Sequence, residues 1–159
     1  MNKIVLITGA SGSGKTTIAK YLAEKYQVFH FDDIGVPNVD EMISKYGSPE
    51  KWQEVATKVW IEKLRKLPGN GIIILEGSFN PEFASQYHKL ICLYTDRSIR
   101  EKRLIKYRNQ PELINQNMEN FACLLKEKTT ILGGVIIDSS KDLLDTIKKC
   151  FDEIEGHIC

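Results

Sequence analysis

At 159 residues, with 42% hydrophobic and 27% charged, the chain has the make-up of one globular domain, not of a disordered or fibrous segment. A net charge of +1 argues against general affinity for nucleic acid or anionic membrane, so any basic surface must be local. Cys92, Cys123, Cys150 and Cys159 lack C-x-x-C and metal-ligand spacing, no apolar run reaches membrane-span length, and the N-terminus enters a strand at once; the expectation is a cytoplasmic chain without a cleavable targeting segment.

The first strand is residues 3–8, where Ile4-Val5-Leu6-Ile7 is a continuous apolar run. Gly9-Ala10-Ser11-Gly12-Ser13-Gly14-Lys15-Thr16 follows, with Thr17 next, and fits G-x-x-x-x-G-K-[ST]. Glycines let several backbone N–H groups converge on one concavity, Lys15 reaches the outer phosphates, and the Thr16 hydroxyl helps to hold Mg²⁺. Ile18, Tyr21 and Leu22 predict a helix over residues 15–26, its positive end aimed at the same anion. Strand, loop and helix is the context the motif requires, which places nucleotide binding well above a Gly/Ser-rich surface turn.

Residues 27–31 form the second strand, running into Asp32-Asp33. A carboxylate there can take a proton from an attacking hydroxyl, or bind Mg²⁺ through water, where the bland reading is an Asp capping a turn. Asp32 is preferred, because alternation puts Phe29 and Phe31 on one face and His30 and Asp32 on the other. A short helix is expected over residues 39–46, and Ser48-Pro49-Glu50 starts another. Trp52, Val55, Ala56, Val59, Trp60, Leu64 and Leu67 give that helix one apolar stripe, on which the tryptophans read as core before they read as a base-stacking platform.

Ile72-Ile73-Ile74-Leu75 reads as a strand buried on both faces and ends at Glu76-Gly77-Ser78. A strand-end acid there suits Mg²⁺ or its waters, against the alternative of a carboxylate simply reaching solvent. A helical turn at residues 81–86 and a strand at 90–94 follow, then a basic helix over 97–109 interrupted by Pro111. Arg97, Arg100, Arg103 and Arg108 make that helix a local cationic surface, suited to phosphate oxygens unless it is only a solvated face. Ile114, Met118, Phe121 and Leu125 mark a further helix, and residues 135–137 a fifth strand ending at Asp138-Ser139-Ser140. A closing helix carries Leu143, Leu144, Ile147, Phe151 and Ile154, and His30, His88 and His157 form no constellation. Alternating strands and helices predict an α/β parallel sheet covered on both faces, with polar clusters converging at the C-terminal strand ends.

The loop at residues 9–16, Phe31-Asp32-Asp33-Ile34-x-x-Pro37, the strand ending Glu76-Gly77, and Asp96-x-x-x-Arg100-x-x-Arg103-Leu104-Ile105-x-x-Arg108 together resemble the P-loop small-molecule kinases, especially the uridine kinase and nicotinamide riboside kinase group. The resemblance covers about residues 3–110, and its last three segments are shared in looser form with shikimate, gluconate and adenylate kinases. It implies a three-layer P-loop NTPase fold with a five-stranded sheet of order 2-3-1-4-5. Residues 1–159 form a single domain on this reading, with 39–67 as a helical acceptor-binding insertion and about 97–128 as a lid. ATP and Mg²⁺ are the implied cofactors. Lys15, Asp32, Arg103 and Arg108 are the implied catalytic groups, and Thr16, Asp32 and Glu76 the metal side chains. Residues 9–17, Arg100 and Ser139 would hold the nucleotide, with Ser139 near the adenine. The acceptor is expected to be a small, nucleoside-like or other hydroxyl-bearing metabolite, with no nucleic acid or membrane partner. The competing reading is a P-loop ATPase or nucleotide-dependent switch acting on a protein. A GTPase switch is disfavoured because Tyr94-Thr95-Asp96-Arg97, and no Asn-Lys-x-Asp motif, follows the fourth strand, and a kinase of nucleic-acid ends is disfavoured by the weak charge.

Overall fold

The computed structural model describes residues 1–156; Cys159 and His157 lie outside the described residues. Five strands, β1 (Lys3–Thr8), β2 (Gln27–His30), β3 (Ile72–Gly77), β4 (Lys89–Tyr94) and β5 (Val135–Asp138), form one sheet of order β2-β3-β1-β4-β5. Every neighbouring pair is parallel. The helices are α1 (Lys15–Leu22), α2 (Val39–Tyr46), α3 (Pro49–Arg65), α4 (Arg97–Lys106), α5 (Gln116–Ile131) and α6 (Leu143–Gly156).

The unalternating strands are explained by what covers them. Ile4, Leu6, Ile73 and Leu75 point to one side and join Trp52, Trp60 and Leu64 of α3. Val5, Ile7, Ile74 and Ile91 point to the other and meet Ile18 and Leu22 of α1 and Ile147 and Ile154 of α6. Both faces are dry, so both sets of alternate positions are apolar.

Local signals set the helix starts. Asn38 Oδ1 accepts from Glu41 N at 2.8 Å to cap α2, and Ser48 Oγ accepts from Lys51 N at 3.0 Å ahead of Pro49 to cap α3. Several ends differ from expectation. α1 stops at Leu22, whose carbonyl accepts from both Lys25 N and Tyr26 N and tightens the exit. Phe31 leaves the second strand for a 3₁₀ turn, Phe31–Ile34, which carries both aspartates. α4 ends at Lys106, not Asn109, because Gln110 N bonds back to Leu104 O and Asn109 turns with φ of 48°.

Two expected apolar stripes are narrower than drawn. Val55 and Val59 are 37% and 48% exposed, since Trp52, Ala56, Trp60 and Leu64 at four-residue steps already fill the buried face of α3. On α6, Leu144 is 69% exposed, and Ile147, Cys150 and Ile154 face the sheet. Cys92 and Cys150 are buried and Cys123 is exposed. No helix among the described residues is long and apolar enough to cross a membrane.

Candidate active site

The site is built at the C-terminal ends of the strands. Gly12 and Gly14 take φ of 85° and 94°, a left-handed conformation closed to most side chains. Gly9 has a different reason, for a Cβ there would stand 2.6 Å from Ser13 Oγ and 2.7 Å from Leu93 O. α1 begins at Gly14 with no side-chain cap and no acid in its first turn. Its unpaired N–H groups and positive end are thus left for an anion.

Lys15 is buried just inside this turn, its Nζ donating to Ala10 O at 3.0 Å. Burial pushes its amine down to about 8, with Glu76 and Asp32 opposing that shift and Arg108 adding to it. Charged groups from the ends of β1, β2 and β3 and from the stretch after α4 therefore share one neighbourhood. Of the two aspartates, Asp32 is the one that acts on Lys15. Glu76 is only 6% exposed, and its Oε1 lies 2.6 Å from His30 Nδ1 on the adjoining strand. Gly77 makes room for the Phe31 side chain, since a Cβ there would stand 2.4 Å from Phe31 Cβ.

A cleft of about 670 Å³ runs along the loop from Lys15 and Thr16 to Ser139 and Leu143, with Arg103, Tyr107 and Arg108 on its wall. A hydrogen-bond network fixes its far end. Ser139 Oγ donates to Ser13 O at 2.7 Å and lies 2.5 Å from Thr95 Oγ1, tying the loop to the ends of β4 and β5.

The arginines divide by role. Arg103 donates to Ser139 O at 2.7 Å and to Gly12 O at 3.3 Å, which fastens it across the loop's far side. Arg108 is exposed, lines the cleft and acts on Lys15. Arg100 corrects the sequence expectation, for it does not line the cleft. It is 3% exposed, ion-paired with Glu119 of α5, and its Cγ would stand 2.7 Å from a Cβ at Gly12. Its guanidinium joins α4 to α5 while its stem supports the loop from behind. Within residues 97–128, expected as a lid, α5 packs on β4 and β5 with Ala122, Leu125 and Thr129 buried, and Tyr107 and Arg108 after α4 line the cleft.

Residues 5–125 match AAA_18, an AAA domain. The chain belongs to this family. A shikimate kinase of Caldicellulosiruptor bescii is 29% identical to the AAA_18 chain over 159 residues, 89% of this chain and 88% of its own. An adenylate kinase of Mesomycoplasma hyopneumoniae (strain 7448) is 35% identical over 86 residues, 48% of this chain and 41% of its own, so the chain spans about two fifths of that relative. Among solved structures, a gluconokinase from Sinorhizobium meliloti 1021 superposes with a TM-score of 0.71 at 16% identity, covering 97% of this chain and 92% of that one. A shikimate kinase from Acinetobacter baumannii in complex with shikimate gives 0.65 at 18% identity, covering 98% and 94%. These likenesses bear out the three-layer fold and its strand order. They support the broad P-loop kinase resemblance, and none of these four carries the narrower one to uridine and nicotinamide riboside kinases.

Sequence reasoning missed several residues of the AAA_18 site. Thr95 and the wall residues Tyr107, Leu143 and Thr146 carry no motif: Thr95 meets the loop from the end of β4, and the others line the cleft through the placement of α4 and α6. The His30–Glu76 contact was also unseen, although register pairs the two residues across β2 and β3.

Proposed function

We propose that this protein is an ATP-dependent, Mg-assisted kinase that phosphorylates a hydroxyl of a small, nucleoside-like or other hydroxyl-bearing metabolite. The observation that carries the reading is the strand-end arrangement: buried Lys15 in the loop, Glu76 in register with Ile7 and His30, and Arg108 on the cleft wall. A phosphate-binding loop alone serves any nucleotide protein; a carboxylate beside the loop lysine adds a place for the acceptor's proton.

The triphosphate lies on the N–H groups of residues 12–16, and Lys15 exchanges its bond to Ala10 O for phosphate oxygens. Arg108 meets charge developing on the transferring group, and Arg103 with Ser139 borders the base. The acceptor oxygen forms its bond to the γ-phosphorus as the bridging bond to ADP breaks, and Asp32 takes the hydroxyl proton. Catalysis is mostly positioning and charge stabilisation. Magnesium keeps much of its water shell and needs few protein ligands, so the exposed Thr16 hydroxyl with the carboxylates of Asp32 and Glu76 is a fitting donor set. When bound, the ion would neutralise charge on the phosphates.

The expected acceptor-binding insertion, residues 39–67, carries Arg65 and five lysines, of which Lys51 and Lys58 pair with Glu54 and Lys66 with Glu62. The sequence resemblance to uridine and nicotinamide riboside kinases favours a nucleoside-like body.

The test is ADP release from ATP across nucleosides, sugars, vitamins and small acids. A nucleoside-like compound is expected to raise the rate by about 100-fold or more, the scale of one positioned base. A rate indifferent to every small molecule, yet raised by a protein partner, would favour the switch reading.

A further inference from the structure

Glu76 closes β3 as a buried carboxylate, and a buried carboxylate without a donor is costly. Its donor comes from the neighbouring strand. His30 is its register partner, and His30 Nδ1 stands 2.6 Å from Glu76 Oε1. An ionised carboxylate only accepts, so the Nδ1–H donates. The imidazole is 44% exposed while the Glu76 side chain is 8% exposed. Hydrophobic burial therefore does not account for a histidine at this strand end; the donor does.

The contact fixes more than the charge. With Oε1 tied toward β2, the carboxylate plane is set, and Oε2 makes no protein hydrogen bond among the described residues. Glu76 is in register with Ile7 of β1, two residues before the loop opens at Gly9, so its carboxylate closes the sheet beside the loop. A side chain that reaches a metal directly or through water depends on such outer partners, whose loss costs about 10–100-fold in metal affinity.

We infer that His30 is a positioning residue, holding Glu76 in the orientation that receives the metal–nucleotide complex. The inference rests on the proposed function only in requiring that the loop bind a metal-complexed nucleotide; no acceptor is involved. It separates nucleotide affinity, which belongs to the loop and Lys15, from metal affinity, which belongs to the β2–β3 edge.

The experiment measures Mn²⁺ binding to the protein–ATP complex by the loss of the free-ion electron paramagnetic resonance signal. ATP binding without metal is followed in parallel by calorimetry in chelator. His30→Leu removes the donor. His30→Asn keeps an N–H near the Nδ1 position. His30→Leu is expected to weaken Mn²⁺ binding by about 10-fold, the lower end of outer-partner effects, while metal-free ATP affinity stays within about 2-fold. His30→Asn is expected to return Mn²⁺ binding to within about 3-fold of the parent. Parental Mn²⁺ affinity in His30→Leu, or equal losses in both variants, would overturn the inference and leave the proposed function standing. A parent protein that fails to bind ATP would overturn both.

Discussion

At the scale of single residues, the chemistry turns on a lysine held where its charge is costly. Lys15 titrates at about 8 in the folded chain and at 10.5 ordinarily. Between those values the unfolded state holds more protons, so stability rises with pH through that window, relieving a cost of about 3 kcal/mol that is fully present below it. A bound triphosphate restores the charge. ATP affinity is therefore expected to hold steady up to about pH 8 and to fall above it, as the empty site loses the lysine's proton. Calorimetric titration across that range checks this, and Lys15→Ala should bind weakly with no such decline. The two aspartates separate in the same way. Asp32→Asn should retain ATP binding and lose about 10²–10⁴-fold in transfer, whereas Asp33→Asn should leave transfer near the parent rate. Single-turnover kinetics with the identified acceptor distinguishes them, and the opposite result would reassign the base.

At the scale of elements, α4 presents two arginines one turn apart with different duties. Arg100 points inward to Glu119 and backs Gly12, while Arg103 reaches over the loop to Ser139 O. Removing one partner of a buried ion pair costs about 3–5 kcal/mol. Arg100→Ala is expected to lower the unfolding midpoint by several degrees while the folded fraction still binds ATP. Arg103→Ala should do the reverse, weakening nucleotide affinity with little change in stability. Thermal unfolding and ATP titration of both variants check this, and equal behaviour would remove the distinction. Their helical spacing was legible in the sequence, and their roles were not. Which side of a cationic helix meets solvent, loop or neighbour depends on α5, and nothing near residue 100 announces Glu119.

At the scale of the whole molecule, the sheet brings to one end what the chain keeps apart. The cleft joins the loop, the end of β5 and the stretch after α4, so a ligand there ties together distant parts of the chain. ATP at about 100 times its Kd should stabilise the fold by about 2.7 kcal/mol, a shift of several degrees in unfolding midpoint. The shift should be absent in Lys15→Ala. An equal shift in both proteins would place the nucleotide elsewhere.

The sequence by itself determined the layers, the strand positions and the phosphate loop. Those rest on local facts: apolar runs with no alternation, a glycine pattern with one backbone solution, and caps such as Ser48-Pro49. Strand order came through the resemblance, and the observed sheet bears it out. Tertiary structure alone decided which polar groups meet. It buried Arg100, turned Val55 and Val59 outward, packed α5 onto β4 and β5, and set His30 against Glu76. Contacts of this kind are made across strands and between helices, where close packing chooses among side chains that local spacing leaves equivalent.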